Sequence, residues 1–382
     1  MIVAPFILLA ALITLLGFCV CWGLAIAKLV HRQPLLAYEP RRPVPWGLID
    51  LVLVVVILYV AAKVSGYLFR GEFGPQAGTE DNPFTLHQNM LIILADTAMK
   101  VAVMLIVTPL IMLRTGCTWR DLGVVPKEAG RDICIGLAAF CMLAPIVYAI
   151  QAGLTLVRPY EHPLIEMLTK TPDLQLFAML CFSAAILAPL SEEWAFRVLL
   201  QGWLEKLLTY TGNPLHILLG GSSPAEPMVL EDGNSLKPTD GIAGVSAEGI
   251  TILSSASHAQ PEIQWIDPAN PYAPPQTSIE PNSAASGPPL AAVVVPEFSP
   301  PSFWQLWLPI FMSSIIFALM HYSHGLAWIP LTLLAFGLGY IYQRTHRILP
   351  SITVHFCLNA LSMAAFWVQM FEAQELQQMQ GK

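Results

Sequence analysis

The sequence predicts an all-α, polytopic membrane protein: a helix bundle of about eight transmembrane helices with one long disordered insertion. Three observations predict it. First, the 382 residues are 55% hydrophobic and only 12% charged, with a mean hydropathy of +0.59, whereas soluble domains carry roughly a quarter charged residues. Second, apolar runs near the length of about 20 residues that a bilayer demands recur along both ends of the chain. Third, Gly212–Pro301 changes character. It holds fifteen of the 32 prolines and cannot bury enough apolar area to offset its ordering entropy. Nine acids against Lys237 give residues 212–300 a charge of −8, so the net −7 leaves +1 for the rest of the chain. No basic face with interleaved aromatics exists, which excludes nucleic acid as a partner class.

Taken in order, Ile2–Ala27 spans the bilayer and has no basic residue before it. A cleaved signal would start positive with a shorter apolar core, so a retained first helix is expected. The basic loop 28–46 follows, and the positive-inside rule places it in the cytoplasm with the N-terminus outside. Trp46–Phe69 is the second span and Asn89–Leu113 the third. The third carries Asp96 and Lys100 four residues apart, which reads as a buried, mutually neutralised pair. A second basic loop leads to Ile133–Leu156, and the proline-rich 158–173 makes an outer loop. The fifth segment, Leu174 to about Leu208, is too long for a simple crossing. Pro189 sits in its middle, so a helix that stops, kinks or restarts at Ser191 is expected. Beyond the insertion come Phe303–His321, a tight turn at 323–325, Leu326–Tyr342 and Leu349–Met370, then an outer tail. The seven cysteines lie mostly in apolar runs and read as buried apolar residues, not as a disulfide framework or zinc cluster.

Ionisable groups at membrane depth need a reason. Ser191-Glu192-Glu193-Trp194-Ala195-Phe196-Arg197 follows the apolar run 174–190 directly. On a helix Glu193 precedes Arg197 by four residues, the favourable orientation for an ion pair. Glu192 points about 100° away around the axis. The pair reads as a structural clamp and Glu192 as the carboxylate that does chemistry; a hydrated helix end with ordinary charges fits this stretch equally well. Two more polar pairs lie late in the chain, Phe317-Ala-Leu-Met-His321 and His355-Phe-Cys-Leu-Asn359. Their four-residue spacing sets each pair on one helix face.

Glu-Glu-x-x-x-Arg, Phe-x-x-x-His and His-x-x-x-Asn, in that order on separate membrane helices, resemble the CPBP family of intramembrane proteases, which includes type II CAAX prenyl endopeptidases and bacteriocin-processing or immunity proteins. Phe336-Gly-Leu-Gly-Tyr and Leu349-Pro350 add to the resemblance, which covers roughly Arg120–Gln369 apart from the insertion. Two departures are Val198, where the family usually has glycine, and the length of the insertion. The resemblance divides the chain into N-terminal helices (1–119), a protease core in two parts (120–211 and 302–370), the insertion (212–301) and a tail (371–382). It implies an integral multi-pass protein, expected in the plasma membrane. The implied partners are the bilayer and a membrane-associated protein or peptide substrate, a prenylated one included.

Hydrolysis within a membrane needs an activated water, an oxyanion stabiliser and a proton donor. On the family's glutamate-based scheme Glu192 is the base and His321 shares its water. His355 and Asn359 donate to the oxyanion, while Glu193, Arg197 and Phe317 support them. The competing scheme uses zinc held by Glu192, His321 and His355, the ligand set of several hydrolases. The metal-free scheme is preferred because Asn359 is a poor zinc ligand and no His-Glu-x-x-His pair occurs. His324 and His346 are set aside as interfacial. Two other classes remain: an idle peptide- or lipid-binding immunity or scaffold protein, and a transporter using Asp96, Lys100 and the Glu192 cluster.

Overall fold

The computed structural model describes residues 3–73, 78, 83–157, 168, 173–221, 230–231, 235–236, 302–323 and 325–380. The expectations for the insertion, the 158–173 loop and His324 fall largely or wholly outside these residues. Eight helices are long and apolar enough to cross a membrane. They are α1 (Val3–Val30), α2 (Leu48–Leu68), α3 (Leu86–Thr115), α4 (Ala129–Val157), the composite α5 (Leu174–Thr209), and, after the short α6 (Leu215–Leu219), α7 (Phe303–Met320), α8 (Trp328–Thr345) and α9 (Ile348–Gln380). The chain is thus helical and membrane-spanning, as expected. It separates into a helical unit, residues 1–227 with 301–382, and a second unit, residues 228–300. Within the second, the described β1 (Leu230–Glu231) and β2 (Ser235–Leu236) pair antiparallel.

Local chemistry sets the ends of the spans. Thr85 caps α3 by accepting from Gln88 N at 3.3 Å while Gln88 Oε1 accepts from Thr85 N, a capping box. Ser302 and Gln305 repeat it at the start of α7. Gly116 closes α3 with φ 67°, the left-handed region where glycine carries no Cβ penalty. The final helix runs to Gln380, well past the Met370 end expected for the last span, because residues 371–380 contain no proline or glycine to stop it.

The bundle buries little of its periphery. Leu8, Leu12, Ile13 and Leu16 of α1 are more than half exposed, as suits side chains facing lipid. The interior centres on α3, α4, α5, α8 and α9. Val107, Ile111, Trp194, Val198, Leu199 and Tyr342 form one buried apolar cluster, and Phe140, Ala144, Leu334, Leu338 and Val354 another. Val198, the residue that departs from the family's glycine, is wholly buried in the first of these.

Pro189 does not break the fifth span. Residues 182–187 and 194–201 are π-helical and flank the α-helical turn 188–193, in whose first turn Pro189 sits. A proline there lacks a donor that the change of helix register leaves unneeded. The chain passes Ser191 without restarting, and the wider turns free backbone carbonyls beside the two acids.

Loops at one end of the bundle are tied by ion pairs. Arg41 donates to Glu205 at 2.7 Å and to the Tyr342 hydroxyl at 2.8 Å, Arg42 to Asp121, Arg114 to Asp50, and Arg347 to Asp132 at 2.7 Å and to Glu39. Trp46, wholly buried, donates from Nε1 to Leu199 O at 3.1 Å. His346 corrects an expectation. It is 7% exposed, contacts Glu39 O through Nδ1 at 2.7 Å and lies 3.4 Å from Glu205, so it is a buried member of this network. It also ends α8 in the left-handed region, φ 49°.

Candidate active site

The middle of α5 brings its acids against α9 and α7. Glu193 and Arg197 are both 0% exposed and paired, Nε to Oε2, at 3.2 Å. The expected clamp is therefore present. The other oxygen of Glu193 lies 3.0 Å from His355 Nδ1. A carboxylate already holding a guanidinium is ionised and can only accept, which makes Nδ1–H the donor and fixes the imidazole's orientation. Nε2 is then directed at Glu192, whose Oε2 stands 3.8 Å away with its side chain 22% exposed. Both Glu192 and neutral His355 would present lone pairs across that gap, so one proton held by either member makes the approach favourable.

Phe317, wholly buried, joins the three motifs. Its ring meets His321 at 4.7 Å and His355 at 6.1 Å between centroids, and the Arg197 guanidinium lies 5.5 Å over its face. The last is a cation–π contact that helps accommodate a buried charge. His321 Nδ1 faces its own helix's Phe317 O at 2.9 Å. A carbonyl accepts, so the proton is on Nδ1 and the basic lone pair on Nε2.

Asn359, expected with His355 to donate to the oxyanion, also has a structural contact. Its Nδ2 donates to Ala184 O at 2.8 Å, a carbonyl in the first π-helical segment. One N–H of the amide is thus committed to holding α9 on α5, and one remains for a ligand. Among the described residues no group of three His, Cys, Asp or Glu is disposed to hold a metal ion; the Nδ1 contacts of His355 with Glu193 and of His321 with Phe317 O leave Nε2 of each ring as the nitrogen that a metal would take.

Sequence reasoning missed the layer behind the clamp. Arg197 Nη1 lies 3.4 Å from Ser313 Oγ, Ser313 Oγ 3.3 Å from Gln201 Oε1, and Gln201 Nε2 donates to Gly339 O at 2.9 Å. All three side chains are wholly buried. A Cβ on Gly339 would meet Gln201 Oε1 and Ile310 Cγ2 at 3.0 Å, so the small residue permits this approach of α8 to α5. A signal was available: Glu193, Arg197, Gln201 and Glu205 recur every fourth residue along an otherwise apolar helix. Arg197 Nη2 is buried with no hydrogen bond, so Glu193, Phe317 and the contact with Ser313 stabilise its charge.

The Asp96–Lys100 pair is formed, Nζ to Oδ2 at 2.7 Å, but at 41% and 27% side-chain exposure it lies on the outside of α3 and not in the interior that was expected.

No curated protein and no solved structure matches the chain. A protein-family model does, over residues 292–361, a stretch that contains Phe317, His321, His355 and Asn359 but stops short of the α5 acids. The matching family is Rce1-like, type II CAAX prenyl endopeptidase, and with it the resemblance to the CPBP intramembrane proteases is shown.

Proposed function

We propose that the chain is an intramembrane endopeptidase that hydrolyses a peptide bond in a membrane-associated protein or peptide, with Glu192 as general base. One observation carries this reading: adjacent acids on α5 take opposite environments. Glu193 is closed into a pair with Arg197 and a bond to His355, while Glu192 stays partly open and faces His355 Nε2. The family match supports a CAAX-type endopeptidase at family level.

In this scheme Glu192 takes the proton of the attacking water while Nε2 of His321 accepts a hydrogen bond from that water's other O–H, and a positioned base of this kind supplies about 10²–10⁴-fold. His355, protonated and steered by Glu193, donates from Nε2 to the developing oxyanion. The remaining N–H of Asn359 adds a second donor, each good donor contributing about 3–4 kcal/mol. Glu192, once protonated, returns the proton to the leaving amine. Phe317 keeps the three helices in register and shields the buried guanidinium from water.

The test is cleavage of a peptide panel, farnesylated C-terminal CAAX peptides included, by the purified protein in lipid. It is run beside Glu192→Ala and beside a zinc chelator. Cleavage that survives the chelator and vanishes in Glu192→Ala supports the scheme. Chelator-sensitive cleavage that returns on adding zinc replaces it with a site formed by Glu192, His321 and His355.

A further inference from the structure

The two ends of the bundle differ in charge. Among the described residues of the helical unit, eleven lysines and arginines lie at one end, in the loops or flanking helix turns that join α1 to α2, α3 to α4, α5 to α6 and α8 to α9. Six acids share this basic end, Glu39, Asp50, Asp121, Glu128, Asp132 and Glu205, which leaves a surplus of five positive charges. Aromatic residues mark the level of the membrane surface there. Phe303 and Trp304 are 64% and 71% exposed, and Trp307 stacks on Tyr340 at 5.9 Å with Arg344 over the Tyr340 ring at 5.2 Å.

At that level a polar cavity lies between the loop 38–44 and the ends of α5, α7 and α8. It measures about 400 Å³ with its open mouth, and its wall includes Tyr38, Arg41, Arg42, Glu205, Lys206 and Thr209. Two of the three cations have carboxylates of their own: Arg41 pairs with Glu205 at 2.7 Å, and Arg42 with Asp121 at 3.1 Å. Lys206 does not. It is 2% exposed, its Nζ donates to Trp46 O at 2.9 Å, and no carboxylate among the described residues lies within ion-pair distance of it. The Asp50 carboxylate, which acts on Lys206 through space, is held by Arg114. An ammonium carries three donors, so two remain for a ligand. A buried charge without a partner is costly, and this one borders both the cavity and a smaller space of about 170 Å³ beside Tyr210 and His216.

We infer that the cavity holds the phosphate of an anionic phospholipid from the adjoining leaflet, with Lys206 as its ion-pair partner and Arg42, exposed in the wall, beside it. The chemistry recognised is a phosphate ester anion, and the surrounding spans and aromatic belt make a lipid its source. Basic pockets between membrane helices take anionic head groups in this way. With both arginine pairs counted, the wall keeps the one positive charge of Lys206, and the phosphate oxygens accept its two remaining N–H groups. Binding here does not require peptide cleavage, so it stands apart from the endopeptidase reading.

Full-length protein, delipidated in a neutral detergent, is titrated with phosphatidylglycerol, phosphatidylcholine or inorganic phosphate while its thermal unfolding is followed. Phosphatidylglycerol should raise the melting temperature saturably, and phosphatidylcholine should not. Lys206→Met keeps the length of the side chain and removes the ammonium. It should raise the half-saturating concentration by at least about tenfold, as for loss of a hydrogen bond to a charged group. Arg120→Gln, exposed at the same end but outside the cavity wall, should raise it by no more than about fivefold, the general contribution of one surface cation. A loss in Lys206→Met no larger than in Arg120→Gln, an equal shift with phosphatidylcholine, or no shift with phosphatidylglycerol overturns the inference. An equal shift with inorganic phosphate at the same concentrations keeps the anion site and overturns the lipid as its source. If Lys206→Met does not fold, Arg42→Gln takes its place, and a loss no larger than that of Arg120→Gln again overturns the site.

Discussion

Glu193 and Glu192 are neighbours in the chain and opposites in the fold. On Glu193's side, toward the basic end, polar groups form a dry ladder through Arg197, Ser313 and Gln201, every member buried. On Glu192's side the polar groups are partly exposed, and His321 and Asn359 each make a hydrogen bond to a backbone carbonyl, of Phe317 and Ala184. The difference separates two uses of charge in a membrane. A buried ion pair holds helices in a defined register, and the half-open carboxylate beside it is the one we propose as the base.

The largest effect on stability should come from breaking the ladder at its first rung. Glu193→Ala leaves Arg197 buried without its carboxylate, and removing one partner of a buried pair costs about 3–5 kcal/mol. Thermal unfolding in detergent should show it. Glu193→Leu combined with Arg197→Leu should recover most of that loss, yet remain inactive because His355 has lost its anchor. Full stability of Glu193→Ala alone would mean the two acids are interchangeable.

Asn359→Ala comes next. It removes the bond to Ala184 O, and a half-buried carbonyl left unpaired costs about 1–3 kcal/mol. Activity should fall with it, because the same amide supplies an oxyanion donor. A variant that loses activity at unchanged melting temperature would restrict Asn359 to catalysis.

A smaller, pH-dependent effect lies at the basic end. Burial, with Arg41 nearby, holds the His346 imidazole below its ordinary pKa despite the pull of Glu205 and of Glu39 O. A depressed pKa means the fold favours the neutral ring. Its contribution is therefore present above the ordinary imidazole value of about 6.5 and lost as pH falls through the lowered one. The melting temperature should decline on that acid limb, and His346→Gln should flatten the decline. A steeper acid limb in His346→Gln would reverse the assignment.

The smallest effect is expected at Asp96 and Lys100. Converting both to neutral residues should leave cleavage within about twofold, since half-exposed pairs contribute little. A loss comparable to that of a Glu192 variant would favour the transporter reading instead.

Much of the fold was legible because spans are long and apolar, and eight were expected and found. The clamp was legible because Glu193 and Arg197 are a local pair. The role of Pro189 was not, since sequence spacing does not distinguish a broken helix from one widened by π turns. His346 was misplaced because its partners, Glu39 and Glu205, lie 307 and 141 residues away in the chain (346 − 39, 346 − 205). The bond from Asn359 to Ala184 O was not anticipated, because it follows from the π register of 182–187, in which Pro189 has no N–H to give that carbonyl.

The most direct measurement compares Glu192→Gln with the parent for both peptide cleavage and thermal unfolding. The arrangement predicts cleavage lower by at least about 10²-fold, as for removal of a positioned base, with the melting temperature unchanged. Cleavage within a few fold of the parent, or unfolding as severe as in Glu193→Ala, would contradict the division of labour between the two acids.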